Sequence, residues 1–213
     1  LGLPRTGTTL LFNLLAQDPT CRPLMVWESM HPAPPPRPET YQSDPRIATC
    51  RYRMKRLNQV LPNLSQIHEF PLEGPEECLG LLMNAFLSPF FRGRIPSYRD
   101  WLDEISDDEV DAACGEYKSQ LQILQRFVNG SHWILKCPSH LYGLGSLLRT
   151  FPDAAVVYTH RDLTRSVPSL LSLSETFEQL CYRPVNREMI GKTMLRAVGQ
   201  LLDRGLRGRD AVD

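Results

Sequence analysis

Apolar residues follow two different patterns in the first part of the chain. The four leucines of residues 8–16 lie at the spacing of one helix face, and the Asp-Pro pair that follows predicts the end of this helix. The apolar run RPLMVWE at residues 22–28 is short and ends in an acid, which predicts a strand or an extended segment. Six prolines in residues 31–45 then predict a long surface loop without regular structure.

Three helices are predicted in the middle of the chain. The first, Pro45–Val60, is strongly basic, which indicates a solvated face. The second covers residues 76–86. The third covers residues 106–128 and begins with SDDE, a capping box in which the serine and the glutamate each bond the other's backbone amide. Together these segments predict a helical insertion over residues 31–128.

The hydrophobic period changes again after the third helix. Strand-like HWILK (132–136) and AAVVYTH (154–160) alternate with helical patterns at 140–151 and 161–177, and a last helix is predicted at 187–203. Apolar strands that alternate with helices are typical of a parallel sheet covered on both faces. We therefore expect an α/β fold with a parallel sheet and helices on both of its faces.

The composition supports a single domain over residues 1–213. The chain is 42% hydrophobic, which is enough for a sizeable α/β core. Its 24 basic and 24 acidic residues give a net charge of zero, which argues against a nucleic-acid partner. The opening LGL has the character of the end of a buried strand, and the last residues complete no element. We therefore expect an incomplete domain, truncated at both ends.

Several other classes of site and location are disfavoured by the sequence. No run of 18 apolar residues is present, so no transmembrane segment is expected, and without a visible signal peptide the expected location is cytoplasmic. Six scattered cysteines without a C-x-x-C favour reduced thiols, although their even number leaves disulfides open. The histidine and acids of residues 68–77 have no convincing ligand spacing, so no metal site is expected.

The opening stretch LGLPRTGTT has the spacing of a Walker A phosphate loop without its lysine. Gly2 and Gly7 stand at the G-x-x-x-x-G spacing and Thr9 takes the Ser/Thr position, but Thr8 replaces the lysine. Gly7 and the amides that open the next helix favour an anion, and Arg5 supplies positive charge. A nucleoside triphosphate needs the lysine and Mg²⁺, whereas a sulfuryl group carries less charge. The loop therefore fits a sulfonate donor better than ATP.

Three predicted strand ends each place a cation beside a turn. They are the loop at Arg5, the segment KCPSH at residues 136–140 and the segment HRD at residues 160–162. Ligands of open α/β sheets bind at the carboxyl ends of the strands, so we expect these cations to converge. An arginine at a helix start opposes the helix dipole, which favours an anion bound at Arg161.

The three segments together resemble the sulfotransferases that use 3′-phosphoadenosine 5′-phosphosulfate. PRTGTTLL is similar to their 5′-phosphosulfate loop, YTHRDLTRSVPSLL to their 3′-phosphate motif, and WILKCPSHL to the strand that carries the family's lysine. The resemblance is strongest to the bacterial-type branch with arginine in the loop. It implies a P-loop NTPase-like fold in which residues 1–28 form the 5′-phosphosulfate segment, 131–175 the 3′-phosphate segment and 31–128 the acceptor side.

The resemblance also implies a role for each matching residue. The 5′ end of the donor is expected on the loop residues Arg5, Thr6, Gly7, Thr8 and Thr9. The forked guanidinium of Arg161 would bind the 3′-phosphate together with Ser169, eight positions later. Lys136 and Arg5 would stabilise negative charge on the transferring group and the leaving oxygen. The donor is a co-substrate, and no metal is implied.

Two residues are candidates for the base that accepts the acceptor's proton. In family members with arginine in the loop, a glutamate that follows the loop has this role, and Glu28, 23 positions after Arg5, matches it. Burial beside Trp27 would raise the pKa of Glu28, whereas an exposed acid at a strand end is the alternative. In other branches a histidine after the strand lysine is the base; His140 is shifted by two positions, and a structural role for it stays open.

The sequence thus predicts an enzyme that moves a sulfuryl group from 3′-phosphoadenosine 5′-phosphosulfate to a hydroxyl or amine acceptor. The acceptor belongs to a small molecule, a glycan or a lipid. Two alternatives stay open: a P-loop nucleotide kinase or NTPase with a degenerate Walker A loop, and a non-catalytic nucleotide-binding module.

Overall fold

Helices dominate the computed structural model, which describes residues 1–60, 74–92, 95–128, 130–179 and 184–211. In chain order, the α-helices are α1 (Thr8–Leu15), α2 (Val26–Met30), α3 (Pro45–Val60), α4 (Leu79–Asn84), α5 (Pro96–Glu104), α6 (Asp107–Leu124), α7 (Leu144–Thr150), α8 (Leu163–Glu178) and α9 (Arg187–Asp210). The strands are β1 (Cys21–Pro23) and β2 (His132–Ile134), which pair in parallel. This is the predicted mixed α/β fold with a parallel sheet.

The chain forms two compact units. Unit 1 contains Leu1–Thr8, Phe86–Gly115 and Cys137–Asp213. Unit 2 contains Thr9–Ala85 and Glu116–Lys136. Both are discontinuous in sequence, so each unit depends on contacts between segments that are far apart along the chain.

A short parallel sheet lies in unit 2. In the pairing of β1 with β2, Cys21 stands opposite His132. Beyond β1, the chain forms an isolated antiparallel bridge between Met25 and Pro75. The bridge brings the segment that begins at Gly74 beside the end of β1, where the backbone amide of Val26 donates to the Gly74 carbonyl oxygen at 3.2 Å.

The strand or extended segment predicted at residues 22–28 continues only to Met25, because Val26–Met30 form the helix α2. The Glu28 carboxylate accepts a hydrogen bond from the Met25 amide at 3.1 Å. This bond satisfies one of the amides that a helix start leaves without a partner inside the helix. Glu28 therefore lies in the first turn of a helix and not at a strand end.

The segment predicted as a strand at residues 154–160 is extended but forms no ladder in the described chain. The Leu1 amino group donates to Val157 O at 2.6 Å, and the Thr159 amide donates to Leu1 O at 2.8 Å, which is the pattern of a parallel pair. Val156 and Val157 are 40% and 56% exposed, so the expected buried strand is wrong.

Two helices of unit 1 differ from their predicted bounds. The helix predicted at 140–151 begins as the 3₁₀ turn Pro138–Gly143 and continues as α7. α9 continues to Asp210 rather than ending at 203, although glycines near its end cost about 1 kcal/mol each in a helix. A Cβ on Gly208 would lie 2.8 Å from the backbone nitrogen of Gly145 in α7, so close packing between the two helices explains this glycine.

The helices of the middle segment agree more closely with the sequence. α3 begins and ends as predicted. The capping box before α6 is confirmed. The Ser106 amide donates to Glu109 Oε2 at 2.9 Å, and the Glu109 backbone amide donates to Ser106 Oγ at 3.3 Å. The helix predicted at 76–86 is shorter, as α4, and the proline-rich loop contains the 3₁₀ turn Pro38–Ser43.

The face that α1 buries is not the predicted leucine face. Leu10 and Leu14 are 68% and 62% exposed, whereas Phe12 is only 3% exposed. The Phe12 ring centroid lies 5.7 Å from Lys136 Nζ, directly after β2. The neighbours of α1 therefore decide which of its faces is buried. The spacing of the leucines predicts the helix but not these neighbours.

Gly80→Ala is expected to destabilise the protein by about 1–3 kcal/mol, because α4 packs closely on α2. A Cβ on Gly80 would lie 2.3 Å from the Ser29 carbonyl oxygen, a backbone atom that cannot rotate away. Gly115→Ala in α6 is the matched control: its Cβ would meet nothing within 4 Å, and alanine's helix propensity should add up to about 1 kcal/mol. Urea unfolding distinguishes the two, and equal midpoints would contradict the close packing at Gly80.

Candidate active site

The loop that precedes α1 adopts left-handed backbone conformations at two residues. Gly7 has a φ of 88° and Arg5 a φ of 69°. A Cβ on Gly7 would meet nothing within 4 Å, so its φ rather than a close neighbour explains the glycine. Because α1 begins at Thr8, the turn ends at a helix N-terminus, where amides without helical partners favour an anion.

Arg5 contacts the other predicted anion-binding segment within unit 1. Its Nε donates to Ser169 Oγ at 3.0 Å, and Arg161 Nη1 donates to the Arg5 carbonyl oxygen at 3.0 Å. Arg5 and Ser169 are 164 positions apart in the sequence. The structure therefore brings together three of the residues that the sequence assigned to the two ends of one ligand.

Thr6 extends this contact to the segment before Arg161. Its hydroxyl donates to Leu3 O at 2.7 Å and lies 2.8 Å from the hydroxyl oxygen of Thr159. A Cβ on Gly2 would lie 2.4 Å from the same Thr159 oxygen, so a side chain at position 2 would force the two segments apart. Sequence reasoning missed Thr159, whose signal is its place just before the HRD turn.

Lys136 lies at the end of β2 in unit 2 and is 5% exposed. Its Nζ is 2.5 Å from Glu77 Oε1 and 3.4 Å from Thr9 Oγ1. In unit 2 the structure thus brings this lysine within reach of one loop threonine. Of the other loop residues, Thr8 is buried at the start of α1.

The acidic pair Glu76–Glu77 is a part of the site that sequence reasoning did not assign. Glu76 Oε1 accepts a hydrogen bond from the Glu77 amide at 2.6 Å. Burial raises the pKa of Glu76 to about 7, and the negative charge of Glu77 acts in the same direction. The available signal is GPEE, two successive acids after a Gly-Pro turn and directly before an apolar helix.

Protein stability is expected to fall between pH 4.5 and about 7 through Glu76. Its pKa is higher in the folded protein than in the unfolded chain, so folding favours the protonated form. The stabilisation present below the unfolded pKa is lost as the pH rises through the folded pKa. Glu76→Gln should reduce the difference in unfolding free energy between about pH 5 and about pH 8. Exposed Glu39→Gln is the control, and an unchanged difference in Glu76→Gln would contradict the prediction.

Glu28 is fully buried and paired with Arg22 in unit 2. Arg22 Nη2 lies 2.8 Å from Glu28 Oε1, and the Met25 amide bonds Oε2 at 3.1 Å. Burial raises the pKa of Glu28, while the Arg22 charge opposes the shift. Both carboxylate oxygens therefore have partners within the protein.

His140 lies in the 3₁₀ turn Pro138–Gly143 of unit 1 and is 6% exposed. Its amide bonds Cys137 O at 3.3 Å. Burial lowers the pKa of His140 to about 4, so its imidazole is neutral at neutral pH. A neutral imidazole can accept a proton, but one with such a low pKa accepts it weakly.

Metal-ligating residues and cysteines are scattered in the described ranges. These residues contain no group of three or more His, Cys, Asp or Glu side chains that could hold a metal ion. Three residues of the disfavoured cluster, His68, Glu69 and Glu73, lie outside these ranges, as does Cys181. The other five cysteines are thiols rather than disulfides, and no helix of the described residues is long and apolar enough to cross a membrane.

Comparison with known proteins gives a consistent family. A model described as the sulfotransferase family matches residues 1–213. The fold is similar to the crystal structure of sulfotransferase STF9 from Mycobacterium avium, with a TM-score of 0.84 and 30% identity over 99% of this chain and 55% of that chain. It is also similar to sulfotransferase STF1 from Mycobacterium tuberculosis H37Rv, with a TM-score of 0.84 and 32% identity over 100% of this chain and 58% of that chain.

Among curated proteins, no sequence matches this chain significantly. The chain spans little more than half the length of the two mycobacterial structures that it resembles. Because the family model covers every residue and the structural likeness extends over almost the whole chain, the chain belongs to the sulfotransferase family.

Proposed function

We propose that this protein transfers a sulfuryl group from 3′-phosphoadenosine 5′-phosphosulfate to a hydroxyl or amine of a small molecule, a glycan or a lipid. The hydrogen bond from Arg5 to Ser169 carries the proposal, because it joins the loop expected at one end of the donor to a residue expected at the other. Membership of the sulfotransferase family supports the type of reaction.

The proposed donor has two anionic ends, and the two cationic segments of unit 1 provide a partner for each. Arg161 and Ser169 would bind the 3′-phosphate, and the loop from Arg5 to Thr9 would bind the 5′ end. The Ser169 hydroxyl accepts the bond from Arg5, so its own O–H is the donor expected at the phosphate. Charge-assisted bonds of this kind are among the stronger ones in proteins.

In the proposed reaction, the acceptor oxygen or nitrogen attacks sulfur while the bond from sulfur to the bridging oxygen of the nucleotide breaks. Lys136 would stabilise the negative charge that develops on this bridging oxygen. The acceptor's proton passes to a base, for which Glu28 and His140 are the two candidates. Glu28 would have to exchange one of its internal partners for the acceptor. His140 would act from the neutral form that its lowered pKa maintains.

Arg161→Ala is expected to weaken binding of 3′-phosphoadenosine 5′-phosphate by about 10- to 100-fold, because it removes a charge-assisted contact. Calorimetry on the full-length protein measures this affinity. Arg165→Ala is the matched control, since Arg165 is an exposed arginine four positions later, in the first turn of α8. If both variants bind like the unchanged protein, the 3′-phosphate site is misplaced.

Measurements of ATP binding and of sulfate transfer distinguish the two alternative functions. Mg²⁺-dependent binding of ATP, strengthened by Thr8→Lys, would indicate a nucleotide kinase or NTPase. Binding of 3′-phosphoadenosine 5′-phosphate without transfer of sulfate to any acceptor would indicate a non-catalytic binding module.

A further inference from the structure

Glu77 is the partner of the lysine to which the proposed reaction assigns the leaving oxygen. The Lys136 side chain is 7% exposed and the Glu77 side chain 19% exposed, and their charged atoms are 2.5 Å apart. Removing an ammonium from water is costly unless an opposite charge accompanies it. The carboxylate therefore offsets part of the cost of burying the ammonium.

The Glu77 backbone is fixed to its surroundings on two sides. Ser29 Oγ donates to the Glu77 carbonyl oxygen at 2.9 Å, and the Glu77 amide donates to Glu76 Oε1 at 2.6 Å. The next amide, that of Cys78, donates to the Lys136 carbonyl oxygen at 3.0 Å. The peptide group that joins Glu77 to Cys78 is thus bonded to the Lys136 main chain, in addition to the ion pair between the side chains of Glu77 and Lys136.

The Lys136 ammonium has three N–H donors. Its contacts with Glu77 and with the Thr9 hydroxyl account for two of them. The Phe12 ring covers another side of the group, with its centroid 5.7 Å from Nζ. Within the described part of unit 2, Lys136 forms an ion pair with Glu77 and interacts electrostatically with the titratable groups of Glu76 and Cys78.

We propose that Glu77 is a positioning residue for sulfuryl transfer, which holds Lys136 so that its remaining N–H donor faces the leaving oxygen. This inference rests on the proposed function, in which Lys136 contacts that oxygen. Glu77 itself takes no proton and forms no bond to the donor. Its role is orientation and local charge balance, by which preorganised groups lower the barrier of a reaction.

Glu77→Gln should therefore separate binding from turnover. We expect kcat to fall by about 10- to 100-fold, because Lys136 loses its fixed direction. Affinity for 3′-phosphoadenosine 5′-phosphate should be unchanged or higher, since a negative charge near an anionic ligand is removed. Damage to the fold would instead weaken both. Calorimetry measures the affinity, and release of the nucleotide from the donor with p-nitrophenol as acceptor measures turnover.

A double-mutant cycle with Lys136 tests whether Glu77 acts through the lysine. In the Lys136→Met background, Glu77→Gln should lower kcat by less than about twofold more, because the group that it positions is gone. Fully additive effects on kcat would overturn the inference. Glu77→Asp keeps the charge and should restore part of the lost turnover, and it also serves if Glu77→Gln does not fold. A Glu77→Asp variant no faster than Glu77→Gln would equally overturn the inference.

The matched control is the exposed pair Glu188–Lys192, whose charged atoms are 2.6 Å apart and whose side chains are 78% and 77% exposed. Glu188→Gln removes the same kind of ion pair and should leave kcat and affinity within about twofold. A loss of turnover in Glu188→Gln as large as that in Glu77→Gln would overturn the specific role of Glu77.

Acylation of the lysines by acetic anhydride, followed by mass spectrometry, tests the inference without any acceptor. Glu77→Gln should speed the acylation of Lys136 by about fivefold or more and leave Lys192 unchanged, because only the first ammonium loses its partner. Equal acylation rates of Lys136 with and without the substitution would overturn the inference.

Protection of Lys136 by 3′-phosphoadenosine 5′-phosphate tests the proposed function separately. If the unchanged protein neither binds this nucleotide nor releases it from the donor, the proposed function fails, and the inference with it.

Discussion

Lys136→Met is expected to lower kcat by about 100- to 1,000-fold, which is the usual effect of removing a donor that stabilises developing charge. Methionine is also unbranched, is only one atom shorter and can still pack beside the Phe12 ring, so the change mainly removes the charge. In the proposed reaction, negative charge appears on the bridging oxygen only as the bond to sulfur breaks. The loss should therefore be in kcat, with KM for the donor much less affected. Steady-state kinetics with varied donor concentration measure both constants.

Lys192→Met is the control for Lys136→Met, because it removes an exposed lysine that also pairs with a glutamate. Its kcat should stay within about twofold of that of the unchanged protein. A Lys136→Met variant with normal kcat but a raised KM would show that Lys136 only binds the donor. That result would remove its assigned role at the leaving oxygen.

Glu28→Gln is expected to lower the free energy of unfolding by about 3 kcal/mol, because it leaves the buried Arg22 guanidinium without a negative partner. Arg22 is 5% exposed, and its Nη1 has no hydrogen-bond partner among the described residues. Glutamine has one side-chain oxygen, so it can accept only one of the bonds from Arg22 Nη2 and the Met25 amide, and its NH2 group then faces the other donor, which adds to the loss. Urea unfolding monitored by circular dichroism measures the change.

Turnover of Glu28→Gln separates the two possible roles of Glu28. If Glu28 is the base, kcat per folded molecule should fall by about 100-fold or more under conditions in which the variant is fully folded. If Glu28 only anchors α2 to Arg22, stability falls while kcat per folded molecule persists, and His140→Ala becomes the decisive variant. Exposed Glu39→Gln is the control for both measurements. Unchanged stability in Glu28→Gln would contradict the importance of the buried pair.

The parts of the fold predicted correctly are those with local signals. α3 begins at a proline and keeps one composition to its end, and the capping box before α6 needs only residues three positions apart. The strand or extended segment predicted at 22–28 stops at Met25, where the Glu28 carboxylate bonds the Met25 amide and α2 begins. The apolar run does not indicate this helix start. The exposed leucines of α1 show the same limit: period indicates a helix but does not identify its neighbours.

The candidate site likewise contains residues that local sequence signals identify and residues that only the folded chain identifies. The loop, Arg161 and Ser169 stand in contiguous motifs, so their residue types and spacing were enough to single them out. Residue type and spacing do not single out Glu77. Its contact with Lys136 joins positions 59 residues apart, and only the folded chain brings them together. The burial that raises the pKa of Glu76 is likewise a property of the packed protein.

The wide sequence separation of the contacts around the loop has a consequence for folding. Arg5 and Ser169 are 164 positions apart, so the hydrogen bond between them requires closure of most of the chain. Proteins dominated by such non-local contacts fold slowly compared with those built from local ones. During synthesis the loop leaves the ribosome long before Ser169 exists. A motif that is contiguous in the sequence is therefore among the last parts of unit 1 to reach its working geometry.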